Sequence, residues 1–257
     1  MYTCGLVDAK FYTFVLLGLA LEVLLVGRLL RQRMWRSYCF FFLYILWVCS
    51  RTVVLLALEL LAPTRFAGVF WVTDAVGLPL KFLIVWEVFR HTFPKGSSLS
   101  RLASKGFVVA GTALVVFLID AFWGFKAYAI FNSLFLALDR SFGFAGAVMT
   151  LGLVLIARYY GVPLGQNVWG MAVGFGGWAS VLTANNAIFD LDHSFIPFWR
   201  IVSPLSFISM IAIWIWAMWK YDPNPAIEPV SISASEMDEW NQEWGRTVSS
   251  VRRIIHP

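Results

Sequence analysis

Charge is scarce in this chain of 257 residues: 14% are Asp, Glu, Lys or Arg, against about a quarter in a soluble domain. That excludes an ordinary water-facing globule. Histidine is scarcer still, and His91, His193 and His256 all lie outside the long apolar runs. A haem held by two membrane histidines is therefore excluded, and mid-bilayer copper lacks its usual ligands. The last apolar run has no lysine before Lys220, so a retinal Schiff base has no attachment point. Cys4, Cys39 and Cys49 form neither a CxxC nor a Cys/His spacing, which gives no zinc site and no disulfide framework. No Walker loop, GxSxG or HExxH is present, and no nucleophile–base pair can be drawn. The chain is therefore expected to be no enzyme and to use no metal or cofactor, with bound lipid the one small molecule admitted. The first apolar run is too long for a signal peptide and lacks a basic n-region, so it is expected to remain as an anchor.

What is abundant is apolar and aromatic: 60% hydrophobic residues, 17% aromatics and 13 Trp. Runs of about 20 apolar residues are long enough for a ~30 Å hydrocarbon core, and Trp is enriched at its two interfaces. The pattern predicts an all-α, polytopic integral membrane protein, with the lipid bilayer as its first partner. Seven spans can be drawn, over 11–30, 38–61, 69–89, 107–122, 141–157, 168–189 and 195–219. Residues 122–140 are apolar but interrupted by Lys126, Asp139 and Arg140, and read as an interfacial segment or an extension of span five.

Net charge is +5, yet the placement of the cations argues for loops at a membrane and against nucleic acid. Arg28, Arg31, Arg33 and Arg36 follow span one. Arg90, Lys95, Arg101 and Lys105 follow span three, and Arg158 and Lys220 follow spans five and seven. Those loops hold no acid. The opposite loops mix Lys10, Arg65, Lys126, Arg140 and Arg200 with Asp8, Asp120, Asp139, Asp190 and Asp192. Positive loops stay inside, which predicts an outside N-terminus and a cytoplasmic C-terminus, in the plasma (inner) membrane. Residues 1–220 then form the membrane domain, 221–232 a proline-rich linker, and 233–257 a cytoplasmic tail helix.

Span three carries Asp74, Lys81 and Glu87, with Pro79 inside it. A charge at mid-bilayer costs at least ~2.5–3.5 kcal/mol, so this helix must face protein or water. Glu22 in span one and Arg51 in span two complete an intramembrane cluster of Glu22, Arg51, Asp74 and Lys81. At ~1.5 Å rise per residue, depth pairs Glu22 with Lys81 and Arg51 with Asp74. Such pairs either fix helix register or serve as a proton relay, ion path or ligand counter-charge.

Gly170, Gly174 and Gly177 share one face of span six, where small residues let backbones approach. That face serves packing within the bundle or a homo-oligomer. Pro204 in span seven, among Ser203, Ser206 and Ser209, frees one backbone carbonyl and kinks the helix. Asn185, Asn186, Asp190, Asp192 and His193 cluster at the exit of span six, but match no defined cation loop and read as a solvated polar stretch.

The tail has the clearest local pattern. Ser233 and Glu236 form a capping box, and Met237, Trp240, Trp244, Val248, Val251 and Ile255 recur at spacings of three and four. This apolar face needs a cover: the inner leaflet, a protein partner, or the chain's own cytoplasmic loops. The favoured function is a non-enzymatic accessory, scaffold or sensory subunit of a larger membrane assembly, engaging partners through the tail. The alternative is a small-solute or proton-coupled transporter using Glu22, Asp74 and Lys81.

Overall fold

Long apolar runs punctuated by short polar links fold here into helices alone, with no strand among the described residues. The computed structural model describes residues 9–93, 128–159, 161–191 and 196–222, together with Thr112 and Gln242. The elements are α1 (Ala9–Arg31), a short 3-10 turn (Met34–Arg36), α2 (Cys39–Leu61), α3 (Pro63–Thr92), α4 (Tyr128–Tyr159), α5 (Gln166–Leu191) and α6 (Ile196–Ala217). Among the described residues, three helices are long and apolar enough to cross a membrane: Tyr12–Arg31, Cys39–Leu61 and Pro63–Thr92. Two shorter apolar helical stretches, Gly143–Tyr159 and Ile201–Ala217, accompany them. The chain is thus an all-α protein of membrane character. The expected fourth span, 107–122, lies outside the described residues apart from Thr112, and so does the tail apart from Gln242.

Two boundaries differ from the sequence reading. α3 starts at Pro63 rather than near Val69, after a single linking residue, Ala62. Proline at the first helical position has a preset φ and gives up an N–H that had no partner anyway, so the helix starts at once. α4 extends back to Tyr128, which makes residues 128–140 an extension of span five. At α4's other end Gly161 takes φ +65°, and the Val162 N–H donates to the Ala157 carbonyl at 2.8 Å. That is a Schellman closure, which needs a left-handed residue after the helix. Both proline-bearing helices run through, with Pro79 inside α3 and Pro204 inside α6.

The helices close into a ring. α1 packs on α2 and α6, α2 on α3, α3 on α5, and α5 on α6, while α4 lies against α3 and α5. Trp214 of α6 is fully buried and meets Phe41 and Tyr44 of α2 edge-on, with ring centroids 4.9 and 6.1 Å away. Its Nε1 donates to the Met171 carbonyl of α5 at 3.4 Å. Perpendicular rings of this kind contribute ~0.5–1.5 kcal/mol beyond their burial.

One end of the ring is tied by polar side chains. There α1 ends, α2 and α5 begin, and α3 and α6 finish. Fully buried Asn167 donates through Nδ2 to the carbonyls of Ala217 (2.6 Å) and Lys220 (2.9 Å), and its Oδ1 accepts from the Asp222 N–H at 2.7 Å. Arg28 and Gln32 of α1 both donate to the Trp219 carbonyl, and the Arg28 guanidinium lies over the Trp219 ring. The chain leaving α6 is therefore fastened to α1 and α5 up to Asp222. Asn167→Ala is expected to lower stability by about 1–3 kcal/mol, because it strands backbone groups at a helix end; thermal unfolding in detergent reads it.

Candidate functional site

Arg51 is placed by α2 and Asp74 by α3, and their side chains form an ion pair of 3.1 Å. The guanidinium is further held by Thr73, whose Oγ1 accepts from Nε at 3.2 Å, and lies over the Phe70 ring at 4.9 Å. Thr73 Oγ1 in turn donates to the Phe70 carbonyl at 2.9 Å. Phe70, Thr73 and Asp74 all come from one face of α3, and their hold on Arg51 pins α3 to α2.

Glu22 does not meet Lys81, and the expected pair is corrected here. α1 packs on α2 and α6, whereas α3 packs on α2, α4 and α5, so the two residues sit on helices that are not neighbours in the ring. Glu22 is 1% exposed and turned toward α2, where its Oε1 lies 3.4 Å from Thr52 Oγ1. Its Oε2 has no hydrogen-bond partner among the described residues. Lys81 points to α5, with Nζ 5.4 Å from the Trp178 ring centroid, a distance at which a ring face attracts a cation. Trp178 also meets Phe207 of α6. Depth along a helix carries no information on which face looks at which neighbour.

Glu87 acts in a way that the sequence reading missed. It is fully buried, and its Oε2 accepts from the Phe41 N–H at 2.6 Å while Oε1 accepts from the Phe40 N–H at 3.3 Å. These donors belong to the first turn of α2, whose N-cap residue Tyr38 supplies no side-chain cap. Unsatisfied N–H groups and a partial positive charge collect at a helix N-terminus, and a carboxylate answers both. The available signal was an N-cap position held by Tyr38, where a Ser, Thr, Asp or Asn would cap the helix itself. Nearby, His91 Nε2 contacts the Ser37 carbonyl at 3.1 Å.

On α5 the glycines divide. A Cβ at Gly170 would run into Ala217, and one at Gly174 would lie 2.6 Å from Trp214 Nε1. Gly177 has nothing within 4 Å of such an atom, whereas Gly176 faces α4, where a Cβ would meet Thr150 Oγ1 at 2.7 Å. The first two therefore serve the α5–α6 contact within the chain. Gly174→Ala is expected to cost about 1–3 kcal/mol through overpacking, and Gly177→Ala to be neutral or slightly stabilising. Chemical denaturation of the two variants side by side measures the contrast.

Met237, Trp240, Trp244, Val248, Val251 and Ile255, expected to bind a partner, lie outside the described residues. The side chains of Asn186, Asp190, Asp192 and His193 do as well; Asn185 is buried on α5, with Nδ2 lacking a hydrogen-bond partner. No family model, curated protein or solved structure matches the chain.

Proposed function

We propose that the chain is a non-enzymatic integral membrane protein, an accessory, scaffold or sensory subunit of a larger membrane assembly. The observation that carries this reading is the use made of the charges on α2 and α3: Arg51 and Asp74 bind each other, and Glu87 caps α2. Groups spent on holding helices together do not line a path for a solute. The clamp on residues 217–222 adds support, since it gives whatever follows a fixed point of departure. In this proposal the chain makes seven crossings with its N-terminus outside, sits in the plasma membrane, and engages its partner through Met237, Trp240, Trp244, Val248, Val251 and Ile255.

The test is recovery of companions from mild detergent with the full chain and with Trp240→Ala, Trp244→Ala. A defined companion present with the first and lost with the second is expected; equal recovery refutes the tail's role. Orientation is read by an impermeant thiol reagent on single cysteines placed at Arg31–Arg36, in a Cys4→Ser, Cys39→Ser, Cys49→Ser background. Labelling from outside intact cells would refute the proposed sidedness.

One observation favours the second reading, a proton-coupled transporter: Glu22 is a membrane-buried carboxyl with an unpartnered oxygen. Glu22→Gln combined with Lys81→Met separates the two. Under the subunit reading, companions and fold are retained. Loss of a transport current with the fold intact supports the transporter.

A further inference from the structure

The tied end of the ring carries both marks of a membrane–water interface. Trp35, Trp169, Trp216 and Trp219 are exposed there, and tryptophan gathers at the level of lipid headgroups. Arg31, Arg33, Arg36, Arg90, Arg158 and Lys220 are exposed at the same end, and Arg28 is half-buried. The described acids at this end are both in use. Glu87 is buried on the Phe40 and Phe41 N–H groups, and Asp222 Oδ2 accepts from the Gln166 N–H at 3.0 Å.

The seam between α1 and α6 concentrates these features. Arg28 donates to the Trp219 carbonyl with its guanidinium over the Trp219 ring, and Gln32 donates to the same carbonyl at 2.9 Å. The cation is thereby fixed at the mouth of the seam instead of swinging out into water. One of its five N–H hydrogens is used there, and Nε has no partner among the described residues. Arg31 lies three residues on, on the same side of α1, and Lys220 follows Trp219 directly. Arg28, Arg31 and Lys220 have no carboxylate partner among the described residues.

Deeper in, the seam is apolar. Gly18 of α1 faces Phe207 of α6, whose ring a Cβ at Gly18 would meet at 3.8 Å. From Gly18 to Arg28 is about 15 Å along α1, half of a ~30 Å hydrocarbon core and so the depth of one leaflet. Leu17, Ala20 and Leu24 continue the Arg28 row of α1 at spacings of three and four, and all are exposed. Ser209, Ala212 and Trp216 continue the Trp219 row of α6 in the same way and are exposed too.

We propose that the tied end of the α1–α6 seam binds one anionic phospholipid of the surrounding leaflet. Arg28, Arg31 and Lys220 hold its phosphate, Trp219 flanks the headgroup, and an acyl chain lies along the two outward rows. The chemistry matches: Arg and Lys only donate, a phosphodiester only accepts, and the bond between them is charge-assisted. Basic sites between spanning helices are a general means of holding anionic headgroups. A choline lipid fits less well, because it brings its own cation to a surface that already has a surplus. This goes beyond the function proposed above and needs only that these helices stand in a bilayer.

Native mass spectrometry of the full chain in mild detergent tests it, with phosphatidylglycerol and phosphatidylcholine of matched chains offered at equal concentration. Retention of phosphatidylglycerol over phosphatidylcholine is expected. Lys220→Gln and Arg31→Gln leave the contacts to the Trp219 carbonyl in place, and each is expected to lower phosphatidylglycerol binding about fivefold. Arg65→Gln, at the opposite end of the ring, is expected to leave it unchanged. Equal retention of the two lipids overturns the site. So does binding that either Lys220→Gln or Arg31→Gln leaves unmoved, or that Arg65→Gln lowers as much. Glycerophosphoglycerol, the headgroup without its chains, is expected not to displace the lipid at equal concentration. Displacement would make this a site for soluble phosphate esters and refute the lipid. A preference that emerges only after Glu236, Asp238, Glu239 and Glu243 are neutralised would put the tail on these cations, and refutes it likewise.

Discussion

Glu87→Ala is expected to lower the unfolding free energy by about 2–4 kcal/mol, because each buried N–H deprived of its acceptor costs about 1–3 kcal/mol. Two donors are at stake, those of Phe40 and Phe41, and the second is the more deeply buried. The sequence offers no replacement cap, since Tyr38 makes no side-chain bond to the turn that it precedes. Glu87→Gln is expected to fall between alanine and wild type: its amide oxygen still accepts one N–H, but its NH2 turns a donor toward the other. Unfolding in mixed micelles gives both differences. An alanine variant as stable as wild type would show that α2 is not capped from α3. The loss would also be felt at a distance, because the start of α2 carries Phe41 and Tyr44, which hold Trp214 of α6.

Arg51→Met alone is expected to cost up to about 3–5 kcal/mol, the upper end because the half-buried pair lies in membrane-spanning helices away from water. Asp74→Leu alone is expected to cost a similar amount. The double variant should recover most of the loss, since exchanging a buried ion pair for apolar residues of similar size is often neutral or better. A double-mutant cycle on purified protein isolates the coupling. Additive losses would refute the pair as the link between α2 and α3. The cycle also bears on function: activity lost in a double variant that remains stable would mean that the charges do more than hold helices.

The class of fold was readable because the bilayer imposes a coarse rule, about 20 apolar residues per crossing, and α1, α2 and α3 obey it. Helix ends were less readable. The apolar run of span three begins at Val69, but proline suits a first helical turn, and α3 starts at Pro63. The charges followed the same division. Arg51 and Asp74 lie on consecutive helices joined by one residue, so hairpin geometry alone brings them to neighbouring faces. Glu22 and Lys81 sit on helices that do not pack on each other, and the order of helices around a ring is set by packing between distant segments. Glu87 escaped because its partners are backbone groups, which no side-chain pattern displays. Asn167 escaped for the same reason: its partners are the carbonyls of Ala217 and Lys220 and the N–H of Asp222.

The closure of the ring sets a timetable for biosynthesis. Arg28 and Gln32 reach the Trp219 carbonyl across separations of 191 and 187 residues. At ~5–20 residues per second, about 10–40 s of translation lie between the emergence of α1 and that of its last neighbour. For that interval the face of α1 that packs on α6, with Gly18 opposite Phe207, stands in the bilayer uncovered. A helix face left open for tens of seconds invites a temporary companion, such as the insertion machinery or a chaperone. The nascent chain arrested before α6 is the form in which to look for one.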